Sequence, residues 1–134
     1  MLIYFIQKEE TNTFYITSGN DVNKIINELE LWSGNKINLF RTMNLEFDIL
    51  NLIYDYFRGQ SVKIGSKWYN IYPSEIYHLE DVVYYSINIL RSVYISVPLL
   101  DERDNEIKGK IKEVYLDTKL KEINSLSNYT CNIV

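Results

Sequence analysis

A chain of 134 residues, 46% hydrophobic, suits one domain with a sizeable core, and its net charge of −4 speaks against a dedicated nucleic-acid binder built on a Lys/Arg stripe. The charge is evenly spread, with seven basic and nine acidic side chains in residues 1–79 and the same numbers in 80–134. A single His78 and a single Cys131 exclude a His/Cys zinc cage and an internal disulfide framework.

The first elements are strands. Leu2-Ile3-Tyr4-Phe5-Ile6 and Phe14-Tyr15-Ile16-Thr17 are rich in β-branched and aromatic residues, and polar residues 7–13 between them fit one hairpin connection. Ser18-Gly19-Asn20-Asp21 is a turn-and-cap cluster. Val22, Ile25, Ile26 and Leu29 then recur at helical spacing, predicting a helix over 21–31 that stops at Ser33-Gly34-Asn35. The alternation in 37–41 predicts a third strand, which closes a small antiparallel sheet.

Asn44 is placed to cap a second helix, with Phe47, Leu50, Ile53, Tyr54 and Phe57 as its buried face and Gly59 at its end. Residues 61–71 read as a loop leading to a short aromatic strand, and Pro73-Ser74-Glu75 opens a third helix. Val83, Ile87, Leu90 and Tyr94 continue the helical spacing, while 93–97 alternates as a strand does. Residues 101–106 read as a charged turn, so that 93–100 and 107–116 pair as a second hairpin with Lys108, Lys110 and Lys112 on one strand face. Helical spacing returns over 116–126. No apolar run reaches the ~18 residues of a membrane span, so the expectation is a soluble intracellular protein with no membrane partner.

The order of these elements carries a resemblance. Leu2-Ile3-Tyr4, Tyr15-Ile16-Thr17, the helix from Asp21 to Leu29, a strand, a helix ending in Phe57, and Lys67-Trp68-Tyr69-Asn70-Ile71 together resemble the GIY-YIG nuclease superfamily. The similar branch is the one common in large DNA viruses and phages and often fused to Bro-type DNA-binding domains. The likeness covers about residues 2–78. It implies an α+β fold: a three-stranded antiparallel sheet flanked by helices in a 1–79 core, with 80–134 as an extension packed on that core. The chain has no alanine and abounds in Ile, Asn, Lys and Tyr. That bias suggests an AT-rich viral or mobile-element genome, and hence a setting in viral or host-cell cytoplasm or in a virion.

The family hydrolyses phosphodiesters: tyrosine helps activate water, arginine steadies developing charge, and glutamate holds a divalent metal. Carried over by position, the first tyrosine is Tyr4. The second signature becomes Tyr15-Ile16-Thr17, with Thr17 where glycine would allow close approach. Ile25 falls at the arginine position and Leu50 near that of the glutamate. Neither side chain binds a phosphate or a metal, and losing one such group costs ~3 kcal/mol of transition-state stabilisation. The implied molecule is a catalytically degenerate GIY-YIG-like domain serving as a binding or structural module, with no cofactor. The alternative is a divergent nuclease using Tyr4, Tyr15, Lys24 and Glu46 with Mg²⁺ or Mn²⁺, where Lys24 is a weaker substitute for arginine.

For each of these residues there is a plainer reading. Tyr4 and Tyr15 suit hairpin packing, Lys24 and Glu46 suit solvated charge, and His78 suits a structural position. Lys36, Arg41, Arg58, Lys63 and Lys67 are candidates for nucleic-acid binding, with Trp68 and Tyr69 as stacking platforms or, more plainly, core residues. The extension and the wealth of strands and tyrosines make a protein partner or self-association the first expectation for partners, with nucleic acid second.

Overall fold

The computed structural model describes residues 1–45, 48–91 and 102–113, the side chains of 89–91 excepted. The elements are β1 (Leu2–Lys8), β2 (Thr13–Ser18), α1 (Val22–Ser33), β3 (Ile37–Asn44), α2 (Leu50–Tyr56), β4 (Trp68–Asn70), α3 (Pro73–Arg91) and a helix α4 over 102–113. The fold is α+β. Its antiparallel sheet has four strands in the order β3-β1-β2-β4, rather than the three expected. The short aromatic strand supplies the fourth, pairing Tyr15 with Trp68 and Phe14 with Tyr69.

Alternation along β1, one of the two inner strands, decides what each face buries. Tyr4 and Ile6 point to one face and join Ile37 in a cluster, on which Val22, Ile25, Ile26 and Leu29 of α1 pack together with Tyr15 and Trp68. Ile3 and Phe5 point to the other, where the register brings Phe14, Ile16, Met43 and Tyr69, all buried. Over that second face lie α2 and the first turns of α3. Phe57 meets the Tyr69 ring, and Tyr77 meets the ring of Phe40, which itself packs edge-on against Phe14.

Local signals account for most of the boundaries. The Asp21 carboxylate caps α1 by accepting from the Lys24 N–H at 3.2 Å, and Gly34, at φ 69°, closes it by donating to the Glu30 carbonyl. Three expectations need correction. Asn44 does not cap a helix: it pairs with Leu2 as the last residue of β3. α2 therefore starts at Leu50, whose N–H is met by the Asp48 carboxylate. Gly59 does not end α2, which stops at Tyr56, but lies inside a 3-10 turn, Arg58–Gln60. Of the expected apolar face, Ile53 and Phe57 are buried, Leu50 and Tyr54 half-buried, and Phe47 lies outside the described residues.

The charged turn at 101–106 and the strand after it are also overturned, since 102–113 is helical. Asp104, Ile107, Lys108 and Ile111 are its buried residues, and they stand at i, i+3, i+4 and i+7. Acidic residues early in the helix and lysines late in it suit the helix dipole. The three lysines consequently do not share a strand face: Lys108 is buried, while Lys110 and Lys112 are exposed. The residues expected to pair with that strand, 93–100, and the spacing over 116–126 lie outside the described residues. Two compact units divide the chain, Met1–Glu80 and Asp81–Val134.

Candidate functional site

Tyr4 and Tyr15, the two candidate tyrosines, lie on the hairpin face under α1, and the geometry there is apolar. Tyr4 is 3% exposed. Its hydroxyl donates to the Gly19 carbonyl at 3.0 Å. The side chains of Ile25, Ile26 and Leu29 pack on its cluster. A tyrosine in this setting holds the turn before α1 against the sheet. Its proton is tied to a backbone acceptor.

Tyr15, the second tyrosine, packs its ring on Trp68 at 5.1 Å between centroids. Burial first, and then the charge of Glu28 on α1, push its hydroxyl above the ordinary tyrosine range. A tyrosine that activates water needs the opposite shift, toward easier deprotonation. Thr17 is buried and pairs with Tyr4, so the position where glycine would open an approach carries a packed β-branched side chain. Ile25 is half-buried, and Lys24 beside it is exposed. Leu50 opens α2 half-buried, and Glu46 lies outside the described residues.

The five candidate cations do not form one patch. Lys36 and Arg41 belong to the β3 edge of the sheet, while Lys63 and Lys67 belong to the loop leading into β4 at the other edge. Arg58 precedes that loop. Lys36 pairs loosely with Glu9 at 3.8 Å. Arg41 is engaged within the fold: its guanidinium forks onto both oxygens of Glu80, at 2.7 and 2.6 Å, and lies 5.2 Å from the centre of the Tyr77 ring. A β-bulge opposite Phe5/Ile6 explains why consecutive residues Phe40 and Arg41 both reach α3. Trp68 and Tyr69 pack rather than stand free. Trp68 lies on Tyr15, and Tyr69 is buried with its ring 9° from parallel to that of Tyr54.

Several partners were not legible in the sequence. Gly19 as an acceptor and Glu28 as the charge felt by Tyr15 depend on how α1 lies over the hairpin. The Tyr54 hydroxyl donates to the Ile16 carbonyl at 2.7 Å, and burial with neighbouring Tyr69, Tyr15 and Asp48 pushes it up to about 12. Glu75 accepts from Gln60 and from the Tyr72 N–H, fixing the start of α3. The Pro73-Ser74-Glu75 signal marks this helix start in the sequence, while the Gln60 contact depends on the fold.

An open cleft of about 240 Å³ lies between the ends of β2 and β4, lined by Asn12, Thr13, Asn70, Ile71 and Tyr72. None of these residues is charged, so the cleft offers neither an acid nor a cation. Among the described residues, no group of three or more His, Cys, Asp or Glu side chains is placed to hold a metal, and no helix is long and apolar enough to cross a membrane. Comparison of the chain with protein-family models, with curated proteins and with solved structures gives no match.

Proposed function

We propose that this chain is a catalytically degenerate GIY-YIG-like domain that serves as a scaffold for binding or assembly, with a protein partner or a second copy as its target.

 The observation that carries this reading is the state of Tyr4, whose hydroxyl is bonded to the Gly19 carbonyl inside a cluster built from Ile25, Ile26 and Leu29. Support also comes from element order: a β1–β2 hairpin forming the inner strands, α1 between β2 and β3, and an aromatic strand after α2. The Tyr15 hydroxyl is shifted away from the range that a water-activating group needs.

Incubation of the purified chain with supercoiled plasmid and Mg²⁺ or Mn²⁺ tests the proposal. No nicking above a buffer control is expected. Nicking that Tyr4→Phe abolishes would overturn it, in favour of the divergent metal-dependent nuclease with Tyr4, Tyr15, Lys24 and Glu46. Sedimentation velocity over a range of concentrations addresses the second copy, which predicts a concentration-dependent dimer.

A further inference from the structure

The segment between α2 and β4 ends in a hydrogen-bonded turn with an aliphatic tip. The Ser66 N–H donates to the Lys63 carbonyl at 3.0 Å, and Gly65 has φ 80°. Residues 63–66 are therefore a type II turn, with Ile64 at its second position and glycine where positive φ is required. The Ser61 hydroxyl also donates to the Lys63 carbonyl, at 2.6 Å, and the Val62 N–H donates to the Trp68 carbonyl at 3.0 Å. A bridge between Ser61 and Tyr69 closes the base of the loop. So braced, the turn holds Ile64 fully exposed (103%) and Val62 half out (51%).

The surrounding charge is cationic. Residues 56–74 carry Arg58, Lys63 and Lys67 and no acid, in a chain whose net charge is −4. All three cations are exposed. From this juxtaposition, an exposed aliphatic apex with cations on either side of it in sequence, we infer that the 61–68 loop is an interfacial anchor for an anionic lipid surface. The apex enters the acyl boundary while the cations stay with the headgroups.

A nucleic-acid wedge is the competing occupant, and the observations favour it less. A wedge must repay the unstacking of bases, which wants a groove-wide cationic surface. Here Asp55 and Glu75 bound a patch of only three cations, fewer than the roughly 6–10 phosphate contacts of a tightly bound duplex. The length of apolar runs speaks only to spanning segments, so it leaves an interfacial loop undetected.

Co-sedimentation of the full chain with vesicles of phosphatidylcholine, with and without about 30% phosphatidylserine, tests the inference. Binding to the anionic vesicles alone is expected, falling about tenfold with Ile64→Ser. It should fall about fivefold with each of Lys63→Gln and Lys67→Gln. Circular dichroism of each variant should match that of the parent chain, because the substituted side chains are exposed. Absence of binding to anionic vesicles would overturn the inference, as would binding that Ile64→Ser leaves unchanged. Binding to a duplex DNA that the lysine variants weaken, with none to vesicles, would assign the loop to nucleic acid instead.

Discussion

The two faces of the sheet are built from the same strands and differ in how well they are closed. Beneath α2 and α3, Phe5, Phe14, Ile16, Met43, Ile53, Phe57, Ile76 and Leu79 are all fully buried. Beneath α1, Tyr4, Ile6 and Ile37 are buried, but no residue of α1 itself is, and its Leu31 and Trp32 are largely exposed. One face is a core. The other is a lightly held cover over a tyrosine-bearing hairpin. Under that cover the half-buried side chains of Val22, Ile25, Ile26 and Leu29 meet the Tyr4 cluster, and all four are aliphatic. The contrast teaches that a loosely closed face is not by itself a polar site. The polar groups beneath must also remain free to act, and the Tyr4 hydroxyl is already bonded to the backbone.

Truncations on the two faces sharpen the comparison most. Phe57→Ala should cost about 3–5 kcal/mol in urea unfolding, because it empties a fully buried site. Ile25→Ala, on the half-buried side of α1, should cost about 1 kcal/mol. Equal costs would mean that α1 is as firmly closed as the opposite face. Next in size is the clamp between β3 and α3. Arg41→Lys removes the two-pronged contact with Glu80 and weakens the stacking on Tyr77. The pair is partly solvated, so a loss of no more than about 1 kcal/mol is expected.

Comparable in size to the clamp is a pH dependence. The Tyr54 hydroxyl is raised from its ordinary 10.0 to about 12 in the folded chain. Its contribution to stability is therefore fully present below pH 10 and is lost as pH rises toward 12. Burial raises Tyr15 and Tyr69 in the same direction. Lys108 acts oppositely: burial lowers it from 10.5, so its contribution grows as pH rises toward 10.5 and is complete above it. Tyr54→Phe isolates one member of this set. The variant should lose about 1 kcal/mol near neutral pH with its hydrogen bond to Ile16, and the difference from the parent should shrink in unfolding curves taken between pH 10 and 12.

Local chemistry made much of this fold legible. β-branched and aromatic runs mark β1 and β2, Asp21 and Gly34 bracket α1, and Pro73 with Glu75 marks the start of α3. Each signal works through groups a few residues apart, so no distant contact is needed to read it. The failures share a cause. Asn44 has the chemistry of a cap, yet its pairing with Leu2 holds it in the sheet. Residues 102–113 carry alternating lysines that suit a strand as well as a helix, and burial of Asp104, Ile107, Lys108 and Ile111 favours the helix.

The candidate site divides in the same way. The sequence by itself determined that isoleucine and leucine occupy the two positions where the resemblance calls for charge, and that a threonine replaces a glycine, because side-chain identity needs no coordinates. Only the tertiary structure decided that Tyr4 donates to Gly19, that Glu28 bears on Tyr15, that Arg41 is clamped to Glu80, and that Ile64 faces solvent. These are matters of distance and solvent access between chain segments. Strand register, helix placement and turn geometry settle them together, and a residue's own chemistry cannot.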